Sequence, residues 1–420
     1  MIPWPSRCFW NDRNSPHPTI KGIAVIGELL CLAQQSLPPK RLAAELERLA
    51  LQAASPEQAD RQLVARVEDE VSKAPDRVFR FDEHGFATLR AAGHEWGAGR
   101  FETPSIGDLR ARAAAQPTAP GGGMGRCRLF ILRGGTALTD IGALEAFDDG
   151  DTLFQVASQF NCLEAPSPRI VPIVDYFDDW TQGPRASIAA FPGTFLRHYR
   201  APDSSGNRFV QSNAGPQIDL LHDTCSPGVA CVQGGYVTAQ QVNESDRLAG
   251  ELQERFPKIR VGVHEVVEVV LGHNWNGPVA NPHPRIAQVF TSTLAAGGYS
   301  SGLTLESEGP WRTVARQLLR AAYLGTLLAA KTLHKRRVVL TLIGGGVFGN
   351  PHDLICEALS MALEEAEQVG DSLDVIVNTY RSPAGPFLPV LEARGGWMID
   401  VDRPEAHQHV VCDAIHSSEM

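Results

Sequence analysis

Basic residues are in deficit in this 420-residue chain: 38 Lys and Arg stand against 48 Asp and Glu, a formal net charge of -10. That balance argues against a nucleic-acid backbone or an anionic membrane as the main partner. A phosphate ligand stays compatible with it, provided backbone N–H groups do the binding. Paired cysteines are missing too. Cys8, Cys31, Cys127, Cys162, Cys225, Cys231, Cys356 and Cys412 are scattered without a C-x-x-C motif, so free thiols in a reducing cytosol are expected. Cys225 and Cys231, which flank a Pro-Gly turn, are the two placed to approach each other. No H-E-x-x-H motif occurs, so no metal and no cofactor are expected. His407, His409 and Cys412 read as a polar tail, and His264 and His273 as core or surface residues. Long apolar runs are also lacking. The stretches 23–33 and 321–330 are too short to span a bilayer. The opening MIPWPSRCFW has no basic segment followed by an apolar one, so no secretion leader of that kind is expected. A cytoplasmic protein, or one delivered to a host cytosol by a specialised machine, fits these absences.

Residues 1–120 show helical periodicity. Segments 41–54 and 56–72 carry apolar residues at three-and-four spacing with charges between. FETPSIGDLRARAA reads as a helix start, with Thr103 or Ser105 as N-cap. The stretch QPTAPGGGMG (116–125) concentrates Pro and Gly and marks a boundary. Two domains are therefore expected: a mostly helical one over 1–120, and an α/β one over 126–420 with an insertion at 201–260. In the second, strands are expected at 127–134, 152–161, 261–272, 285–294, 336–346 and 373–380. Helices are expected at 187–200, 311–333 and 351–369. Continuous apolar strands between helices imply a buried mixed sheet in a three-layer α/β/α arrangement. Glu364, Glu365 and Glu367 read as the solvated face of their helix.

The richest chemical signal is VVLTLIGGGVFGNP. An apolar strand runs into Gly344, Gly345, Gly346, Val347, Phe348 and Gly349, and Asn350 and Pro351 open the next helix. Glycines let backbone approach a ligand closely and turn N–H groups toward it. The helix N-terminus adds partial positive charge. Together these can hold a diphosphate without a basic side chain. Gly344-x-Gly346-x-x-Gly349 also fits the dinucleotide fingerprint, but the next strand, LDVIVNTY, does not end in the acidic residue that holds a ribose. No Gly-Lys-Ser/Thr follows, so a P-loop is excluded.

GGGVFGNP resembles the second ligand loop of macrodomains and poly(ADP-ribose) glycohydrolases. LFQVASQFNCLE is similar to their strand ending in Asn, with Asn161 at the matching position. TALTDIGALEA resembles their Asp-Ile pair, with Asp140 matching the Asp. The resemblance implies a macrodomain-like α/β fold, ADP-ribose as ligand, Asp140 at the adenine, Asn161 at the distal ribose and the glycine loop at the diphosphate. VDYFDDWTQGPRASIAAF departs from the simpler macrodomains. It resembles the effector-type enzymes that remove ADP-ribose from ubiquitin arginine, which implies an ADP-ribosylated protein, ubiquitin among the candidates, as partner.

Cleavage at ribose develops oxocarbenium character, which a carboxylate can stabilise while another orients water. Asp178 and Asp179, before Trp180-Thr181-Gln182-Gly183, are the expected catalytic pair, and Glu164 and Asp175 are close enough in sequence to substitute. Gly183 is expected at the ligand, Phe348 against a ribose, and Tyr380 stacked on adenine. A non-catalytic ADP-ribose-binding module would use the same residues. A serine hydrolase is the other rival: Gly298-Tyr299-Ser300-Ser301-Gly302 fits G-x-S-x-G, with Asp400 and His407 downstream. Against it, LTLESEGP separates Ser300 from the following helix.

Overall fold

The structure, a computed structural model, describes residues 25–53, 61–116, 125–135, 137–203, 205–226, 232–240, 244–275, 277–369, 372–380, 382, 385–404 and 408–410. The expected boundary at 116–125 falls mostly outside them.

Helices α1 (Val25–Gln34), α2 (Pro39–Ala53) and α3 (Arg61–Lys73) follow the apolar periodicity. On α3, Leu63, Val64, Val67 and Val71 make one buried stripe. The single turn α4 (Pro75–Val78) ends the helical part. The chain then forms an antiparallel meander of β1 (Phe79–Phe81), β2 (Ala87–Ala91) and β3 (His94–Glu102), which adds a short sheet to the expected mostly helical segment. Along β2, Ala87, Leu89 and Ala91 are buried while Arg90 faces out, the alternation of a half-buried strand. Helix α5 (Ile106–Ala114) starts at Ser105, whose hydroxyl accepts the Asp108 N–H while the Asp108 carboxylate accepts the Ser105 N–H.

The remaining elements are β4 (Cys127–Arg133), α6 (Ile141–Ala146), β5 (Thr152–Ala157), α7 (Gln182–Ala189), α8 (Phe191–Tyr199), β6 (Ala201–Pro202), β7 (Arg208–Phe209), α9 (Ser245–Glu254), β8 (Gly262–Glu268), β9 (Arg285–Thr291), α10 (Pro310–Thr332), β10 (Arg337–Thr341), α11 (His352–Gln368), β11 (Leu373–Tyr380), α12 (Leu388–Arg394), β12 (Gly396–Asp400) and β13 (Gln408–Val410). The helix expected over 187–200 is two helices, because Pro192 lies in the first turn of α8 and removes a backbone donor there. The 201–260 insertion carries a small hairpin and α9. Strand β11 is not the last, since β12 and β13 follow it.

Eleven strands form one sheet in the order β1-β2-β3-β8-β9-β5-β10-β11-β4-β12-β13. From β9 to β12 neighbours run parallel, and β8 runs antiparallel to β9. The parallel strands are covered on both faces. Gln155 on β5 donates to the Ala322 carbonyl of α10, whereas Gln288 on β9 donates to Glu145 of α6 and to the Ala186 carbonyl of α7. Since Phe154 pairs with Gln288 and Gln155 with Val289, the two glutamines point to opposite faces. The protein is therefore the expected three-layer mixed α/β fold, and β3, paired with β8, makes the N-terminal meander part of the same sheet.

Two smaller expectations change. Cys225 is disulfide-bonded, while Cys127, Cys162 and Cys356 are free thiols. Glu365 pairs with Arg110 and Arg320, and Glu367 accepts the Cys127 N–H and pairs with Arg394, so only Glu364 faces solvent as expected. No described helix is long and apolar enough to cross a membrane.

Candidate functional site

The carboxyl ends of β9, β5, β10, β11 and β4 lie side by side, because these strands are parallel neighbours. Their following loops carry all the sequence-derived candidates, and in open parallel sheets ligands bind at this edge.

The glycine loop follows β10. Gly344 has φ +74°, and a Cβ there would lie 2.5 Å from the Thr293 methyl carbon, so both conformation and space require glycine. Asn350 closes the loop from behind. Its N–H donates to the Gly344 carbonyl, and its side-chain NH2 donates to the Leu294 carbonyl, both at 2.9 Å. The Gly345 and Gly349 N–H groups turn inward to Leu342 and Gly346. Those of Gly346, Val347 and Phe348 meet no acceptor among the described residues. Val347 stands out into solvent. Three successive loop amides just before α11 are thus without an acceptor among the described residues. The Phe348 ring packs against Tyr236 and Tyr299, with centroids 5.7 and 5.3 Å away. Tyr299 donates to the Pro166 carbonyl at 3.3 Å, and Tyr236 to that of Ala165. This aromatic triad ties the glycine loop to the segment after β5.

That segment holds Glu164. It is 8% exposed, and its Oε1 has no hydrogen-bond partner among the described residues. Burial raises its carboxyl well above the ordinary value; the nearby Asp179 charge adds to this, and Arg197 works against it. Glu164 lines a cavity of about 350 Å³ with Pro166, Asp175, Tyr176, Asp179 and Trp180. Gly183, in the first turn of α7, makes room for it. A Cβ on Gly183 would lie 2.2 Å from the Ala157 carbonyl oxygen and 2.8 Å from Glu164 Oε2.

Asp178 and Asp179 reach the same cavity with their carboxylates engaged. Asp178 is exposed and forms two hydrogen bonds of 2.7 Å with Arg61 of α3. This ion pair holds its carboxyl below the usual range. One oxygen of Asp179 accepts the N–H and hydroxyl of Thr181. Sequence proximity named Glu164 only as a substitute, yet it is the buried carboxylate of the group, with an oxygen that meets no hydrogen-bond partner among the described residues.

Two other candidates are closed off. Asp140 is 2% exposed. Its Oδ1 caps α6 at the Ala143 N–H, and its Oδ2 pairs with Arg185, whose guanidinium lies between Trp180 and Trp275. Burial opposes its ionisation, but His273 and Arg185 outweigh it and hold the carboxyl low. Contact with adenine would require Arg185 to move. Asn161 is 1% exposed. Its side-chain NH2 donates to Gln217 at 3.0 Å, and its oxygen accepts the Leu163 N–H at 3.1 Å. The insertion supplies Gln217 and also presses Gly235 against Asn161. Tyr380, by contrast, is 38% exposed at the carboxyl end of β11, one strand from the glycine loop.

Ser300 is no elbow nucleophile. It sits in a 3-10 turn, is buried, donates to the Ala295 carbonyl and accepts the Ala239 N–H at 2.9 Å. Asp400 pairs with Arg133 on β4, and His407 lies outside the described residues. Among the described residues no cluster of His, Cys, Asp and Glu could hold a metal ion.

No protein-family model and no curated protein matches the sequence. Solved structures that resemble the fold include a poly(ADP-ribose) glycohydrolase from Thermomonospora curvata bound to the inhibitor ADP-HPD. It is 13% identical, with TM-score 0.37, covering 77% of this chain and 96% of the other. Another is the poly(ADP-ribose) glycohydrolase of Deinococcus radiodurans in complex with ADP-ribose, 14% identical, with TM-score 0.40, covering 70% and 94%. The functional reading below is carried by the residues of this chain, not by that likeness.

Proposed function

We propose that the protein hydrolyses the bond between ADP-ribose and a modified protein. The carrying observation is the buried, unpartnered carboxyl of Glu164, in a cavity joined by the aromatic triad to three unpaired loop amides. The amides of Gly346, Val347 and Phe348 would hold the diphosphate, and Tyr380 would stack on adenine. The distal ribose would then enter the Glu164 cavity. A carboxyl whose hold on its proton is strengthened by burial suits general acid catalysis. Glu164 gives its proton to the leaving atom of the acceptor as the bond to the ribose C1″ breaks. Water then adds to the oxocarbenium ion and returns a proton to Glu164, releasing ADP-ribose and the free acceptor. The cavity rim carries Asp175, Asp178 and Asp179. A rim of this charge favours a cationic acceptor such as the guanidinium of arginine, and arginine-modified ubiquitin is the first substrate to assay.

The test is Glu164→Gln, which keeps the shape of the protonated acid. Release of ADP-ribose from arginine-ADP-ribosylated ubiquitin should fall roughly 100-fold or more. Affinity for ADP-ribose, measured by calorimetry with AMP as control, should stay within a few-fold. Undiminished turnover in the variant would remove the assignment. Tight ADP-ribose binding by the native protein, without turnover of any ADP-ribosylated protein, would leave a binding module instead.

A further inference from the structure

Behind Glu164 lies a buried hydrogen-bonded chain that the chemistry above does not use. The Glu164 N–H donates to the phenol oxygen of Tyr176 at 2.8 Å. That oxygen lies 2.8 Å from His198 Nε2. Tyr176 and His198 are both buried. The phenol hydrogen has no other acceptor among the described residues, so it goes to Nε2, with His198 neutral and carrying its own proton on Nδ1. Burial and the neighbouring Arg197 hold that imidazole down at about 3, so it is neutral at any working pH.

Both ends of the bridge are gripped by one side chain of the N-terminal segment. On α3, Glu68 Oε1 accepts the Ile173 N–H at 2.7 Å and the Tyr199 hydroxyl at 3.2 Å, and Oε2 accepts the Val174 N–H at 3.0 Å. Ile173 and Val174 open the 3-10 turn that carries Tyr176, and Tyr199 follows His198 on α8. One carboxylate thus sets the spacing between the phenol and the imidazole.

We propose that Tyr176 is a positioning residue for Glu164, held by His198 behind it and by Glu68 of α3, so that the N-terminal segment takes part in the reaction without touching the substrate. The inference rests on the assignment of Glu164 as the acid. Tyr176 fixes the Glu164 peptide, and with it the direction in which the carboxyl enters the cavity. Misplacement of a reacting group by an ångström costs up to about 100-fold in rate, whereas ground-state contacts to the nucleotide, which lie elsewhere, are spared.

The experiment compares Tyr176→Phe, His198→Leu, His198→Gln and Glu68→Gln with Glu164→Gln in the full chain, on arginine-ADP-ribosylated ubiquitin. Tyr176→Phe and Glu68→Gln should lower kcat on the order of ten- to a hundredfold. KM and the calorimetric Kd for ADP-ribose should change less than about twofold, the pattern of a contact that matters only in the transition state. His198→Leu should behave likewise, and His198→Gln, whose amide oxygen can accept from the phenol, should recover most of kcat. Native kcat in Tyr176→Phe beside a dead Glu164→Gln would overturn the positioning role alone. Parallel loss of kcat, ADP-ribose binding and thermal stability in all four would do the same, by showing a merely structural contact. If Tyr176→Phe fails to fold, the Leu and Gln pair at His198 decides: equal activity of the two overturns the proposal. An active Glu164→Gln would overturn the function first.

Discussion

Asp148 illustrates how far burial moves a single carboxyl here. It precedes β5, its Oδ2 accepts the Gly150 N–H at 2.8 Å, and its Oδ1 has no partner among the described residues. Burial pushes it up from 3.8 to about 6. The unfolded chain gives up this proton near the lower value and the folded chain near the higher. Between them the folded state binds more protons, so stability falls as pH rises through that window. The fall amounts to about 3 kcal/mol, at about 1.4 kcal/mol per pH unit. Asp148→Asn carries no such proton. The stability of the variant relative to the native protein should therefore rise between about pH 4 and pH 6 and level off above. Urea unfolding at a series of pH values measures it, and a difference that stays constant across the range would contradict the reading. Burial raises the Glu164 carboxyl in the same way, and there the proposed reaction would use the proton. The sequence shows four carboxylates within a short stretch, Glu164, Asp175, Asp178 and Asp179. It does not show which one is buried without a partner, because burial and pairing come from segments far away along the chain, as Arg61 does for Asp178.

At the scale of elements, the segment after β5 and the start of α7 meet at one cavity because a small residue allows it. Gly183 is the tightest point, with α7 seated on the Ala157 carbonyl and on Glu164. Gly183→Ala should cost roughly 1–3 kcal/mol, the usual penalty of overpacking, and should lower kcat by displacing Glu164. Denaturant midpoint and steady-state kinetics read the two effects. A stable, fully active variant would show that the α7–β5 contact relaxes at no cost. The glycine loop was legible in the sequence because its demand is local: positive φ and close approach at Gly344 belong to the residue itself. The Ser105 start of α5 was legible for the same reason. The break between α7 and α8 was half-legible, signalled by Pro192.

At the scale of the molecule, the N-terminal segment is joined to the rest in two ways. Strand β3 continues the sheet through β8, and α3 grips the Tyr176 turn through Glu68 and Arg61. We therefore propose one cooperative unit in place of the expected two domains. Differential scanning calorimetry should give a single transition, with the calorimetric enthalpy equal to the van't Hoff value. Two resolved transitions would restore separate domains.

The sequence by itself determined the mixed α/β class, the parallel strands with their helices, and the glycine loop after β10. These follow from periodicity and from backbone demands that each residue carries with it. Only the tertiary structure decided which side chains are free to act. Asn161 is covered because the insertion brings Gln217 and Gly235 onto it, and Asp140 is taken because α7 brings Arg185 to it. Glu164 is left buried without a hydrogen-bond partner at Oε1 because no donor among the described residues reaches it. Burial and pairing are properties of contacts between segments distant in sequence, so no local pattern can announce them.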